Sequence, residues 1–195
     1  AVARRVNLAD MYAFSELGNY SIYALVRLPN QSKQGFKSNR QLFTVSNSPP
    51  KWSKKIGVPG TDKTHEYRLI HFTDGKNAYL FAQVADDKSG YPIRTYPLGN
   101  FVAFREPTTK VDDSLNMHVL YMVNPQFWRH IRIAPTGEFL GQRLYRPTPE
   151  NHPRLVKNES GDIHVNGGIY HDPEKAAEER EGRRNASDRP NFIYE

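Results

Sequence analysis

Turn residues recur along this chain at short intervals and leave room for little except strands. They stand at Leu17-Gly18-Asn19, Thr73-Asp74-Gly75, Lys88-Ser89-Gly90, Pro135-Thr136-Gly137 and Glu159-Ser160-Gly161. Between them lie short runs rich in β-branched and aromatic residues, which is the pattern of antiparallel β structure. The expected fold class is all-β. The apolar supply is thin: 37% of the 195 residues are hydrophobic, including Tyr. Leu, Ile, Val and Phe together stand only slightly above the fraction of about one-fifth below which chains stay disordered. Aromatic residues make up 12%, too many for a solvated coil. The chain therefore folds, with part of it expected to be loop, tail or a surface that meets a partner.

No run approaches the roughly 18 apolar residues of a membrane-spanning helix, so no membrane span is expected. The chain starts Ala1-Val2-Ala3-Arg4-Arg5, without an initiator Met, and reads as a mature product or a piece of something longer. There is no Cys, which removes disulfides, thiolate nucleophiles and Cys-ligated metals. The net charge of +6 suits nucleic acid, an anionic polysaccharide or a bilayer surface as partner. The excess lies in the first half and is spread thinly. Its tightest cluster is Lys51, Lys54 and Lys55 around Trp52, read either as a solvated basic linker or as an anion-binding patch.

Four parts are expected along the chain. Residues 1–49 form a partial β unit. Val6–Tyr12 alternates as a strand, Gly18–Val26 is a longer strand, and Ser38–Val45 closes the unit. Residues 50–64 form a linker by their Pro, Gly and Lys content. Residues 65–172 form a second antiparallel unit with a repeat. Pro107 to His118 aligns with Pro153 to His164, eleven positions apart in both. Four short strands per roughly 40–46 residues is the period of a propeller blade. Two blades and one hairpin are too few to close a ring. Residues 173–195 form a short helix, with Asp172 as cap and Pro173 in its first position, followed by a tail. The apolar tip of that tail, Phe192, Ile193 and Tyr194, is a candidate partner-docking element.

The chemical motifs are sparse. Neither His-x-His nor His-Glu-x-x-His spacing occurs, so no metal site and no cofactor is expected. His118 and His164 occupy one repeat position and suit structural bonds to a neighbouring strand. Asp86-Asp87 and Asp112-Asp113 precede turns and read as solvated turn acids. Asn166-Gly167-Gly168 reads as a bulge within a strand. No Gly-x-Ser-x-Gly elbow is present, and no catalytic residue is assigned. The best surface candidate is Phe127–Arg132, where alternation sets Trp128, His130 and Arg132 on one side. Exposed, that face would stack on sugars or bases and hold anions.

Gly18 with Tyr20, and Phe43-x-Val45 after Ser38-Asn39, resemble the closing strands of an immunoglobulin-like sandwich. With the His118-Val119 and His164-Val165 hairpins and the Ser187-Asp188-Arg189-Pro190 tail, the whole resembles a type of secreted bacterial protein of unknown function. In that type an immunoglobulin-like β-sandwich precedes propeller-like hairpins. The resemblance implies export to the exterior or envelope and action by contact. The expected function is thus non-enzymatic: a structural or interaction protein, pairing strands and docking its tail onto other subunits or copies of itself. The alternatives are a module for anionic polysaccharide, using Trp128, His130, Arg132, Lys51, Trp52, Lys54 and Lys55, and a nucleic-acid binder.

Overall fold

A computed structural model describes residues 6, 8, 11–12, 18–27, 35–45 and 48–172. The fold is all-β, and it divides into two units, Ala1–Pro49 and Pro50–Glu195. The expected helix and tail at 173–195, with Phe192, Ile193 and Tyr194, lie outside the described residues.

In the first unit, the described residues of the span 6–12, where a strand is expected, do not pair as a strand. The amides of Met11 and Tyr12 both donate to the Leu8 carbonyl. The other described residues of this unit centre on a two-stranded ribbon. Strand β1 (Gly18–Ile22) pairs with β4 (Gln41–Val45), and β2 (Leu25–Val26) pairs with β3 (Phe36–Lys37). Ser38 bridges the two pairings: its amide donates to the Ala24 carbonyl, and its hydroxyl accepts the Ala24 amide at 2.8 Å. Ile22 faces Gln41 and Leu25 faces Lys37, so one extra residue sits on the returning side, as in a bulge. Tyr20 and Phe43 lie opposite one another and stack, 5.3 Å between centroids. Among the described residues of this unit none is buried.

The second unit holds the core. Strands β5 (Trp52–Gly57), β6 (Thr64–Thr73), β7 (Ala78–Asp86) and β8 (Pro92–Asn100) form a meander in chain order. The segment 50–64 is therefore not a linker. Its strand β5 pairs with β6 from Trp52 opposite Leu69 to Gly57 opposite Thr64. It looked like linker because edge strands carry lysines that discourage further pairing. A second sheet runs β15-β12-β11-β10-β9, from β9 (Thr108–Val111), β10 (Met117–Asn124), β11 (Phe127–Ile133), β12 (Phe139–Arg146) and β15 (Ile169–His171). A hairpin of β13 (Arg154–Lys157) and β14 (Ile163–Asn166) completes the unit.

These elements stack as three layers with the five-stranded sheet in the middle. Met117, Val119 and Tyr121 alternate along one face of β10 and join Tyr67, Leu69 and Leu80 of the first sheet in one core. Leu120 on the opposite face joins Trp128, Leu155 and Ile163 in a second, smaller core under the β13–β14 hairpin. Strand β10 is therefore buried continuously from Met117 to Tyr121, as a strand covered on both faces must be.

Gly167-Gly168 is a turn from β14 into β15 rather than the expected bulge. Both residues have positive φ, and a Cβ on Gly167 would lie 2.6 Å from the His152 carbonyl oxygen. Only glycine satisfies both demands.

A buried histidine pair beside a cationic cleft

The candidate site grows from the turn between β9 and β10. Asp112 accepts the Asn116 amide at 2.7 Å and the Asn116 side chain at 3.0 Å. Leu115, with φ 65°, closes the turn. The two acids there part company. Asp113 is exposed and pairs with Lys157, whereas Asp112 is buried. The buried carboxylate in turn orients the histidine of β10.

His118 Nε2 lies 2.9 Å from Asp112 Oδ2, and His118 Nδ1 lies 3.0 Å from His130 Nε2. Both rings are buried and stacked at 5.2 Å. One proton arrangement satisfies the chain. The carboxylate accepts Nε2–H of His118, whose bare Nδ1 accepts Nε2–H of His130. Burial alone pushes the Asp112 carboxyl up, but the hydrogen bonds from His118 and Asn116 outweigh it and hold it below its ordinary value. Burial lowers His118, against the pull of Asp112. The Asp112–His118 contact is thus a hydrogen bond from a neutral imidazole to a carboxylate, not an ion pair. Burial, with the fields of His118, Arg132 and Arg143, pushes His130 down to about 3.

Beside His130 a polar cleft of about 390 Å³ opens between β12 and β14. Gly141, Arg143 and Tyr145 of β12 and Ile163, His164 and Val165 of β14 line it, with Arg132 beside them. Arg132 reaches the Leu140 carbonyl at 3.4 Å, and the Arg143 guanidinium lies 6.0 Å from the Tyr170 ring. Neither arginine is in an ion pair among the described residues, and no acid lines the cleft.

His130 is a weak base in this setting. A base of pKa about 3 accepts a proton at pH 7 only at a cost of about 5 kcal/mol. Tyr145 is the only hydroxyl in the cleft lining. Among the described residues no cluster of three or more His, Asp or Glu side chains could hold a metal ion.

The residues proposed from sequence are only partly brought together. Trp128, His130 and Arg132 do share a face, as alternation requires. The β13–β14 hairpin covers Trp128 and His130, which are 5% and 6% exposed, so they form no stacking platform. The reason is the third layer, which no local pattern in Phe127–Arg132 reveals. Arg132 alone of the three is exposed. Lys51, Lys54 and Lys55 are exposed at β5, Trp52 packs on the first core, and Lys55 pairs with Asp87 at 2.7 Å. That strand belongs to the first layer, on the other side of the middle sheet from the cleft, so the two groups form no single patch. Sequence reasoning passed over Arg143 and read Asp112 as a solvated turn acid, whereas it is buried. Arg143 faces His130 only through the β11–β12 register. No helix is long and apolar enough to cross a membrane among the described residues. Comparison with known proteins finds no matching family model, no similar curated protein and no similar solved structure.

Proposed function

We propose that this chain is a non-enzymatic structural or interaction protein of an extracellular or envelope assembly, whose first unit is completed by another protein subunit or a second copy. The observation that carries this reading is the ribbon β1–β4. Among the described residues no third strand joins it, and a two-stranded ribbon by itself is at best marginally stable in water. This ribbon presents Leu42 at 78%, Phe36 at 59% and Val26 at 51% exposure. A cluster of exposed large apolar residues on paired strands marks an interaction surface. The ribbon corresponds to part of an immunoglobulin-like sandwich whose remaining strands come from the partner. The second unit, with its propeller-like order of successive meanders, holds the two cores.

The test is the mass of the native particle, read by light scattering on full-length tagged chain recovered under mild conditions from the cells that make it. A particle well above 22.4 kDa is expected. The double variant Phe36→Asp, Leu42→Asp should shift it to the mass of one chain, with the tryptophan fluorescence of the second unit unchanged. A wild-type particle of one chain's mass refutes the reading.

A further inference from the structure

The third layer of the second unit stops short of the sheet beneath it. Lys110 of β9 donates to the Leu155 carbonyl, which places β13 over the β9 side. Strand β14 lies next to it, over β10 and β11, where Ile163 meets Leu120 and Trp128. Two strands thus cover a five-stranded sheet. The cleft is the space left over β12, bounded by three consecutive residues of β14, Ile163, His164 and Val165. Three neighbours in sequence lining one wall means that the strand's edge faces the cleft.

Among the described residues that edge is unpaired, because β14 pairs with β13 alone. The Asn158 amide donates to the Asp162 carbonyl at 2.9 Å, so these two form a hydrogen-bonded pair of the ladder. Alternation in an antiparallel ladder makes Val156 with His164 the next such pair. Ile163 and Val165 are then non-hydrogen-bonded positions, and their amides and carbonyls point away from β13, to the cleft side. The site therefore offers two backbone donors and two acceptors along an edge, above a floor carrying two guanidinium groups with no ion pair among the described residues. Open edges of this kind are completed by strand addition, in which the backbone supplies affinity and alternate side chains supply specificity.

We propose that the cleft is a strand-addition site, in which an extended segment of a partner subunit pairs with Ile163 and Val165 of β14 and sets carboxylate side chains on Arg132 and Arg143. The proposal rests on the reading of the chain as an interaction protein and names the chemistry of one partner segment. An added strand lies about 4.8 Å from β14, and stacked sheets stand about 10 Å apart, so every second side chain of the segment points down to the β12 floor. There Arg143 and Arg132 meet it without competing acids. Bidentate guanidinium–carboxylate bonds would fix its register. Gly141 carries no side chain to obstruct the end of that floor.

The probe is a fluorescein-labelled eight-residue peptide of alternating valine and glutamate, titrated onto the full-length chain by anisotropy. Saturable binding is expected, with slowed exchange of the Ile163 and Val165 amides. The charge-reversed peptide, with lysine for glutamate, should bind at least about tenfold more weakly, and so should the Arg132→Ala, Arg143→Ala double variant. Val165→Pro removes an edge amide that the β13–β14 ladder does not use and is compatible with an edge strand. It should weaken the peptide by about tenfold while leaving the thermal melt in place. A parallel titration with a heparin tetrasaccharide separates strand addition from anion capture. If the sugar binds more tightly than the peptide, or if Val165→Pro leaves peptide binding unchanged, strand addition is overturned. No peptide binding with a large native particle removes this site and leaves the interaction reading standing. Peptide binding with a native particle of one chain's mass does the reverse.

Discussion

Acid should weaken the second unit through His130, and the size of the effect comes from its burial. The ring is 6% exposed, and its pKa is pushed from the ordinary 6.5 down to about 3. A lowered histidine is neutral in the folded chain while the unfolded chain takes up the proton. The stability it contributes is therefore complete above pH 6.5 and is lost as pH falls from there towards 3. Each pH unit in that window costs about 1.4 kcal/mol, so moving from pH 7 to 4.5 costs about 3 kcal/mol. Asp112 does not confuse this window. Its carboxyl is held below the ordinary 3.8, so its contribution is lost only at lower pH. The variant is His130→Gln, whose amide still donates to His118 Nδ1 and does not titrate. Urea unfolding followed by tryptophan fluorescence reports this unit alone, because both tryptophans, Trp52 and Trp128, lie in it. The rest of the sequence is shared by the two proteins, so the difference isolates the His118–His130 pair. Wild type minus variant should fall by about 3 kcal/mol between pH 7 and 4.5. A difference that stays constant across that range refutes the buried neutral pair.

Three further substitutions test the layers. Tyr67 donates to the carbonyls of Leu115 at 2.9 Å and Ile133 at 3.1 Å, joining the first sheet to the second. Tyr67→Phe should cost about 1–3 kcal/mol in urea unfolding, since both carbonyls lose their donor. The Trp128 indole N–H is buried without a hydrogen-bond partner among the described residues. Trp128→Phe removes that orphan along with some packing and should change stability by less than about 1 kcal/mol, whereas Trp128→Ala should cost about 3–5 kcal/mol. Gly161 has φ +85°, and a Cβ there would overlap an Asp113 carboxylate oxygen. Gly161→Ala should lower stability by about 1–2 kcal/mol in the same assay and lose the Asp113–Lys157 pair.

What the sequence made legible was local. Turn residues and alternation place the strand between Pro107 and His118 and the one between Pro153 and His164 in equivalent hairpins, and the structure shows β9–β10 and β13–β14 there. Alternation also sets Trp128, His130 and Arg132 on one face. It does not say what covers a face. His118 and His164 hold the same repeat position, yet His118 is buried and His164 is exposed. The difference is the rank of their strands: β10 lies inside the middle layer, and β14 forms the rim of the last one. Layer order is decided by packing between elements distant in sequence, and no window of residues contains it. The candidate site has the same character. Asp112, His118, His130 and Arg143 come from three strands and a turn, and their meeting depends on registers that a slip of one residue would undo.

Layer order also decides where the cleft lies. A five-stranded sheet covered by four strands on one side and two on the other leaves one flank open. Had β15 followed β14 into the third layer, it would have filled the cleft and buried Arg132 and Arg143 with no partner for their charge. That arrangement costs several kcal/mol per ion. Instead Gly167-Gly168 turns the chain back, and β15 pairs with β12 from Leu144 opposite His171 to Arg146 opposite Ile169. The double glycine and the two arginines are thus parts of one arrangement. The turn leads the chain away from the β14 edge, and the guanidinium groups disfavour an apolar segment there. A single side chain at Gly167 would clash with the His152 carbonyl and push the β14–β15 connection outward. The cleft should be lost with it, even though no residue lining the cleft is changed.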